Sequence, residues 1–139
     1  MLSVVFTLSV AVHLEDDLDK LRGTWLTVSQ ISNGKVIQDE KTPAPPGPVI
    51  QLVYDGNSWT VKAGDKTFAK GTFKIDTSKT PKELVVMDDQ GKVKLQGIYE
   101  VNGDTYRYCI APAGKDKPNE FSSKEGSGHI LMVLKREKP

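Results

Sequence analysis

Cys109 is the only cysteine of this 139-residue chain, and it follows Tyr106-Arg107-Tyr108. In an extended strand side chains alternate between faces, so Cys109 shares a face with Arg107, and a neighbouring cation lowers a thiol's pKa toward the nucleophilic thiolate. A nucleophile also needs a base, and the chain holds only two histidines, neither within a recognisable nucleophile motif. Cys109 therefore reads as a buried structural residue. His129 follows Gly126-Ser127-Gly128 at the start of the last apolar run. It has the chemistry of a general base or of a haem or zinc ligand, but a metal needs more ligands, and His13 falls in a segment that export would remove. Asp16, Asp17 and Asp19 lack the glycine and terminal glutamate that a calcium loop requires at fixed offsets, so they read as a solvated helix face. The expectation is a protein that is not an enzyme, with no catalytic residue, no metal site and no cofactor. An enzyme would require Cys109 and His129 to meet in a cleft.

Aromatic residues offer binding chemistry instead. Trp59, Phe68, Phe73, Tyr99, Tyr106 and Tyr108 fall on successive apolar runs, and tyrosine hydroxyls add polar handles to apolar bodies. Trp59, Phe73, Tyr99, Tyr106 and Tyr108 are the candidate ligand-binding residues, with strand parity deciding which face inward. The alternative is that they fill a solid core, because 37% hydrophobic residues leave little to line an empty space.

Eight short runs with a period of two must position them: Thr24–Ile31, Val49–Tyr54, Ser58–Ala63, Thr67–Ile75, Glu83–Met87, Lys92–Val101, Thr105–Ala111 and His129–Lys135. Asp55-Gly56-Asn57, Ala63-Gly64-Asp65, Asp89-Gln90-Gly91 and Asn102-Gly103-Asp104 separate neighbours by tight-hairpin signals. Consecutive runs therefore pair as antiparallel strands. A meander leaves two exposed edges, and closing the first strand on the last removes both. The predicted fold is all-β, an eight-stranded up-and-down antiparallel barrel. Leu14, Leu18 and Leu21 recur at helical spacing before Gly23, which places a short helix ahead of the first strand. Two connections exceed hairpin length: Ser32–Pro48, with Pro43, Pro45, Pro46 and Pro48, and Pro112–Gly128. Long loops at a barrel rim serve as binding elements or as plain surface loops, and both readings stand.

A chain of this length forms one domain, taken here as 14–139. Nineteen Lys and Arg balance eighteen Asp and Glu, so no nucleic-acid partner is expected. Residues 1–13 begin with twelve uncharged positions, too few for a transmembrane span. Ser9-Val10-Ala11 fits the cleavage pattern of an export signal, although the basic residues that should precede it are absent. Leu2, Val4, Phe6, Leu8, Val10 and Val12 also alternate as in a strand, so a signal and an extra strand are both open.

The residues carry a resemblance. Leu21-Arg22-Gly23-Thr24-Trp25, the run Lys70–Asp76, Thr80-Pro81-Lys82, Gly97–Glu100, Gly103–Cys109, Pro118–Phe121, Gly126–His129 and Val133–Arg136 together resemble the lipocalin-like domain family of uncharacterised proteins abundant in Planctomycetes. The likeness covers about residues 20 to 137. It implies a lipocalin-like barrel, export to the periplasm or the exterior, and no catalytic residues. In the wider lipocalin pattern a Gly-x-Trp opens the first strand and a late arginine packs across the tryptophan, which Gly23, Trp25 and Arg136 match. The chain departs from secreted lipocalins in lacking paired cysteines, and its short turns leave little material for a deep cup. Two functions are expected from this reading: a binder of a small apolar or amphipathic molecule, or an interaction domain with a solid core.

Overall fold

The computed structural model describes residues 17–138. Residues 1–13, with their signal and strand readings, lie outside the described residues. A short helix over residues 17–21 leads into nine strands: β1 (Gly23–Ser32), β2 (Lys35–Gln38), β3 (Gln51–Asp55), β4 (Ser58–Ala63), β5 (Lys66–Asp76), β6 (Glu83–Asp88), β7 (Val93–Asn102), β8 (Thr105–Pro112) and β9 (Ile130–Arg136). All but β2 form a closed, eight-stranded, up-and-down antiparallel barrel in which each strand pairs with its chain neighbour and β1 pairs with β9. The closing seam runs from Trp25 opposite Arg136 to Ser32 opposite Ile130, with a bulge at Val28.

Alternation sorts the side chains. On β8, Tyr106, Tyr108 and Ile110 join the interior with Leu134, Met132 and Ile130 opposite them on β9, while Arg107 and Cys109 face the other way. The core is centred on Leu21, Trp25, Tyr54, Phe73, Leu84, Tyr99, Tyr106, Ile110 and Leu134, each buried.

The Ser32–Pro48 connection, expected as a loop throughout, contains β2. Asn33 and Gly34 take φ of 50° and 82°, the left-handed pair that a two-residue hairpin demands, and fold β2 back on β1 with Gln38 opposite Gln30. One flank of β1 is thus shared: its first residues, Gly23 to Leu26, pair with β3, and its last, Gln30 to Ser32, pair with β2. The proline-rich stretch bridges the two. Val49 and Ile50, expected to open the next strand, stay outside it and are exposed.

β5 is longer than its neighbour on one side. Its pairing with β6 runs from Asp76 opposite Glu83 only as far as Gly71 opposite Asp88, whereas its pairing with β4 continues to Lys66 opposite Ala63. Lys66 to Lys70 therefore have a strand on one side only, and the barrel wall is notched above Asp88. Phe68 is the bulged residue of this stretch, half exposed, with the Lys66 ammonium 5.1 Å from its ring centre.

Candidate functional site

The barrel has one filled end and one hollow end. At the filled end Gly23 opens β1 with φ of 127°, a backbone conformation that favours glycine, and a Cβ there would lie 2.8 Å from Arg136 Nη1 and displace the guanidinium. Trp25 is fully buried, donates from Nε1 to the Leu21 carbonyl at 2.8 Å, and packs 5.3 Å from the Tyr106 ring. The Arg136 guanidinium lies 4.3 Å from the Trp25 ring centre. It also donates to the carbonyls of Lys20 and Arg22 and to the Asp104 carboxylate, joining the helix, the seam and the β7–β8 turn. Gly23, Trp25 and Arg136 are thus brought together at one end of the barrel.

Asp17 corrects the reading of a solvated acidic face: it is 3% exposed and is the only buried charged residue among those described. Its Oδ2 accepts from Lys82 Nζ at 2.9 Å and from the Tyr99 hydroxyl at 2.7 Å. Burial pushes its carboxyl up, but those two hydrogen bonds, with the Lys82 and Lys20 charges, outweigh it and hold the group below the ordinary carboxylate value.

The four tyrosines divide by depth. Tyr54 and Tyr106 share a buried hydroxyl–hydroxyl bond of 2.8 Å, and Tyr99 donates to Asp17. Burial raises all three phenols strongly, so each stays protonated. Tyr99 and Tyr106, candidates for ligand contact, belong to this plug and are not among the residues that line the two hollows described below. Tyr108 lies one pleat further along β8, packs its ring 5.3 Å from that of Tyr106, and faces open space. No described residue hydrogen-bonds its hydroxyl, and no buried side-chain oxygen or nitrogen lacks a partner, so the hydroxyl is reachable from that space.

The space is a cavity of about 770 Å³, open to solvent at the notch between β5 and β6. Trp59, Phe73 and Tyr108 line it with aliphatic residues of six strands, and Asp88, Asp89, Lys70 and Lys94 stand where it opens. Trp59 Nε1 donates to the carbonyls of Thr72 and Met87 at 3.0 and 2.9 Å, which caps the β5–β6 ladder where the strands part. Asp88 binds the amides of Gln90 and Lys92, each at 2.9 Å, shaping the turn below the mouth. Those amide bonds, the Lys92 one foremost, hold its carboxyl below the usual value. A second hollow of about 660 Å³ adjoins under the Pro45–Ile50 stretch and shares Leu52, Val61 and Tyr108 as walls. The short turns by themselves leave little material for a deep cup. The overhanging half of β5 and the proline-rich bridge build one.

The Pro112–Gly128 connection is strapped to the outside of the barrel. Pro118 is fully buried, Phe121 stacks 3.9 Å from the Arg107 guanidinium carbon, and Ser123 bridges Gly34 N and the His129 carbonyl. Beneath it Cys109 donates from Sγ to the Ser122 carbonyl at 3.2 Å, and burial pushes its thiol up. The His129 ring bonds the Asp116 carbonyl at 3.1 Å, so thiol and imidazole are each tied to the strap rather than to each other. Thiol labelling of the native protein near neutral pH is expected to run well below the rate of free cysteine; labelling faster than free cysteine would show an activated thiolate. Among the described residues no cluster of three or more His, Cys, Asp or Glu is placed to hold a metal ion. No described helix is long and apolar enough to cross a membrane.

The architecture is a closed eight-stranded up-and-down antiparallel barrel, which is consistent with a lipocalin-like fold. No family model matches the chain, and neither a curated protein nor a solved structure does.

Proposed function

We propose that this protein is a lipocalin-like carrier that holds one small apolar or amphipathic molecule in the hollow end of its barrel. The observation that carries the reading is the cavity of about 770 Å³ walled by Trp59, Phe73 and Tyr108, a size and character suited to a small-molecule site. The resemblance to the Planctomycetes family implies a barrel of this kind behind an export signal, and no activity. Burying about 300 Å² of ligand apolar surface yields roughly 7 kcal/mol before association costs, so the expected affinity is micromolar or weaker. Titration with a neutral apolar naphthalene dye, followed by tryptophan emission, should show saturable binding in that range. Trp59→Ala and Phe73→Ala should each weaken it by about tenfold or more. Absence of binding below millimolar dye, or affinity indifferent to both substitutions, sinks the proposal. The interaction-domain reading then takes over, on the exposed Val49, Ile50 and Phe68 around the rim.

A further inference from the structure

We infer that the ligand of the hollow end is an uncharged molecule carrying a hydrogen-bond acceptor, such as a ketone, ester or ether oxygen, which takes a directional contact from the Tyr108 hydroxyl. The inference rests on the carrier reading and adds the ligand's chemical class.

It follows from an inventory of polar groups. Tyr99 is engaged with Asp17, and Tyr54, which also borders the larger cavity, with Tyr106. Thr60 and Thr67 line the larger cavity and Thr27 the second hollow, and among the described residues Tyr108 alone presents a hydroxyl to both. Each side-chain amide beside the second hollow spends an N–H within the protein, Gln30 on Ser32 and Gln38 on the Thr27 carbonyl. Every charged side chain of the larger cavity stands at its mouth, where two acids face two lysines and Lys94 lies 3.8 Å from Asp88. The sole buried charge among the described residues, Asp17, is already paired with Lys82 and belongs to the plug. A carboxylate or ammonium drawn in as far as Tyr108 would therefore meet no counter-charge, and an unpaired ion away from water is strongly disfavoured. A neutral acceptor meets a donor. Burial raises the Tyr108 phenol to about 12, so it keeps its proton across the physiological range. The hydroxyl donates and the ligand oxygen accepts. β8 lies across the barrel from β4, so a ligand reaching Tyr108 also lies against Trp59 and Val61.

Three probes with one ring system separate the possibilities: naphthalene, 2-acetylnaphthalene and 2-naphthoate, each measured by equilibrium dialysis against the full chain and against Tyr108→Phe. The ketone is expected to bind about tenfold more tightly than naphthalene, as one hydrogen bond allows, and the carboxylate more weakly than the ketone by at least about tenfold. In Tyr108→Phe the ratio of ketone to hydrocarbon should fall to about one, with unchanged circular dichroism showing that the barrel is intact. If the naphthoate binds best, the rim lysines hold the head group and the inference is overturned. Persistence of the ketone preference in the variant overturns it too, while leaving the carrier reading in place. If none of the three binds, the carrier reading falls and the inference falls with it.

Discussion

Trp25→Ala lowers the stability of the barrel by about 3–5 kcal/mol, the cost of removing a large aromatic side chain from a packed core. Trp25 is fully buried, its ring sits between Tyr106 and the Arg136 guanidinium, and its indole nitrogen satisfies the last carbonyl of the helix. Truncation leaves a void in the plug, orphans the Leu21 carbonyl, and removes the surface on which Arg136 lies. Arg136→Ala costs less, about 1–2 kcal/mol, because its carbonyl partners can turn to water once the guanidinium has gone. The two substitutions meet the same contact, so the double variant should lose less than the sum of the singles. Chemical denaturation followed by circular dichroism measures all three. An unchanged midpoint in Arg136→Ala, or strict additivity in the double variant, would show that the stack does not hold the end closed.

Much of the fold was legible because tight hairpins write themselves locally. Asp55-Gly56-Asn57, Ala63-Gly64-Asp65, Asp89-Gln90-Gly91 and Asn102-Gly103-Asp104 fall at strand ends in the structure, and closure followed from the cost of two bare edges. β2 escaped although Asn33-Gly34 carries the same signal, because four residues followed by a proline-rich stretch resemble a loop in composition. Tyr106 and Tyr108 show a different limit. Parity puts both inside, but two residues advance a strand by about 7 Å, and whether a side chain meets the plug or the hollow depends on strand tilt and register around the whole barrel. The notch above Asp88 has no local signature at all. It arises because β5 outruns β6, which only their register reveals.

Asp17 was legible in principle, and it carries the second large effect. It lies four residues before Leu21, so at helical spacing it shares the apolar stripe that buries that leucine, and a carboxylate on such a stripe needs a partner. The partners come from far away in sequence, Lys82 before β6 and Tyr99 on β7, which tie the helix across the filled end. Asp17→Ala is expected to cost about 3 kcal/mol near neutral pH, because it strands the buried Tyr99 hydroxyl and frees Lys82. Asp17→Asn keeps an acceptor for Tyr99 and loses only the charge, so it should cost about half as much. The pH dependence separates charge from packing. The carboxyl titrates below its ordinary 3.8 in the folded state, so the stability it supplies is present above that value and is lost as the pH falls through the folded pKa. The gap between the native chain and Asp17→Asn should therefore be widest near neutrality and narrow steadily below about pH 4. Urea midpoints of both proteins at intervals between about pH 7 and pH 2 give the two curves. A gap that stays constant to the acid end would assign the cost to packing alone, and the buried ion pair would not be what fastens the helix to the barrel.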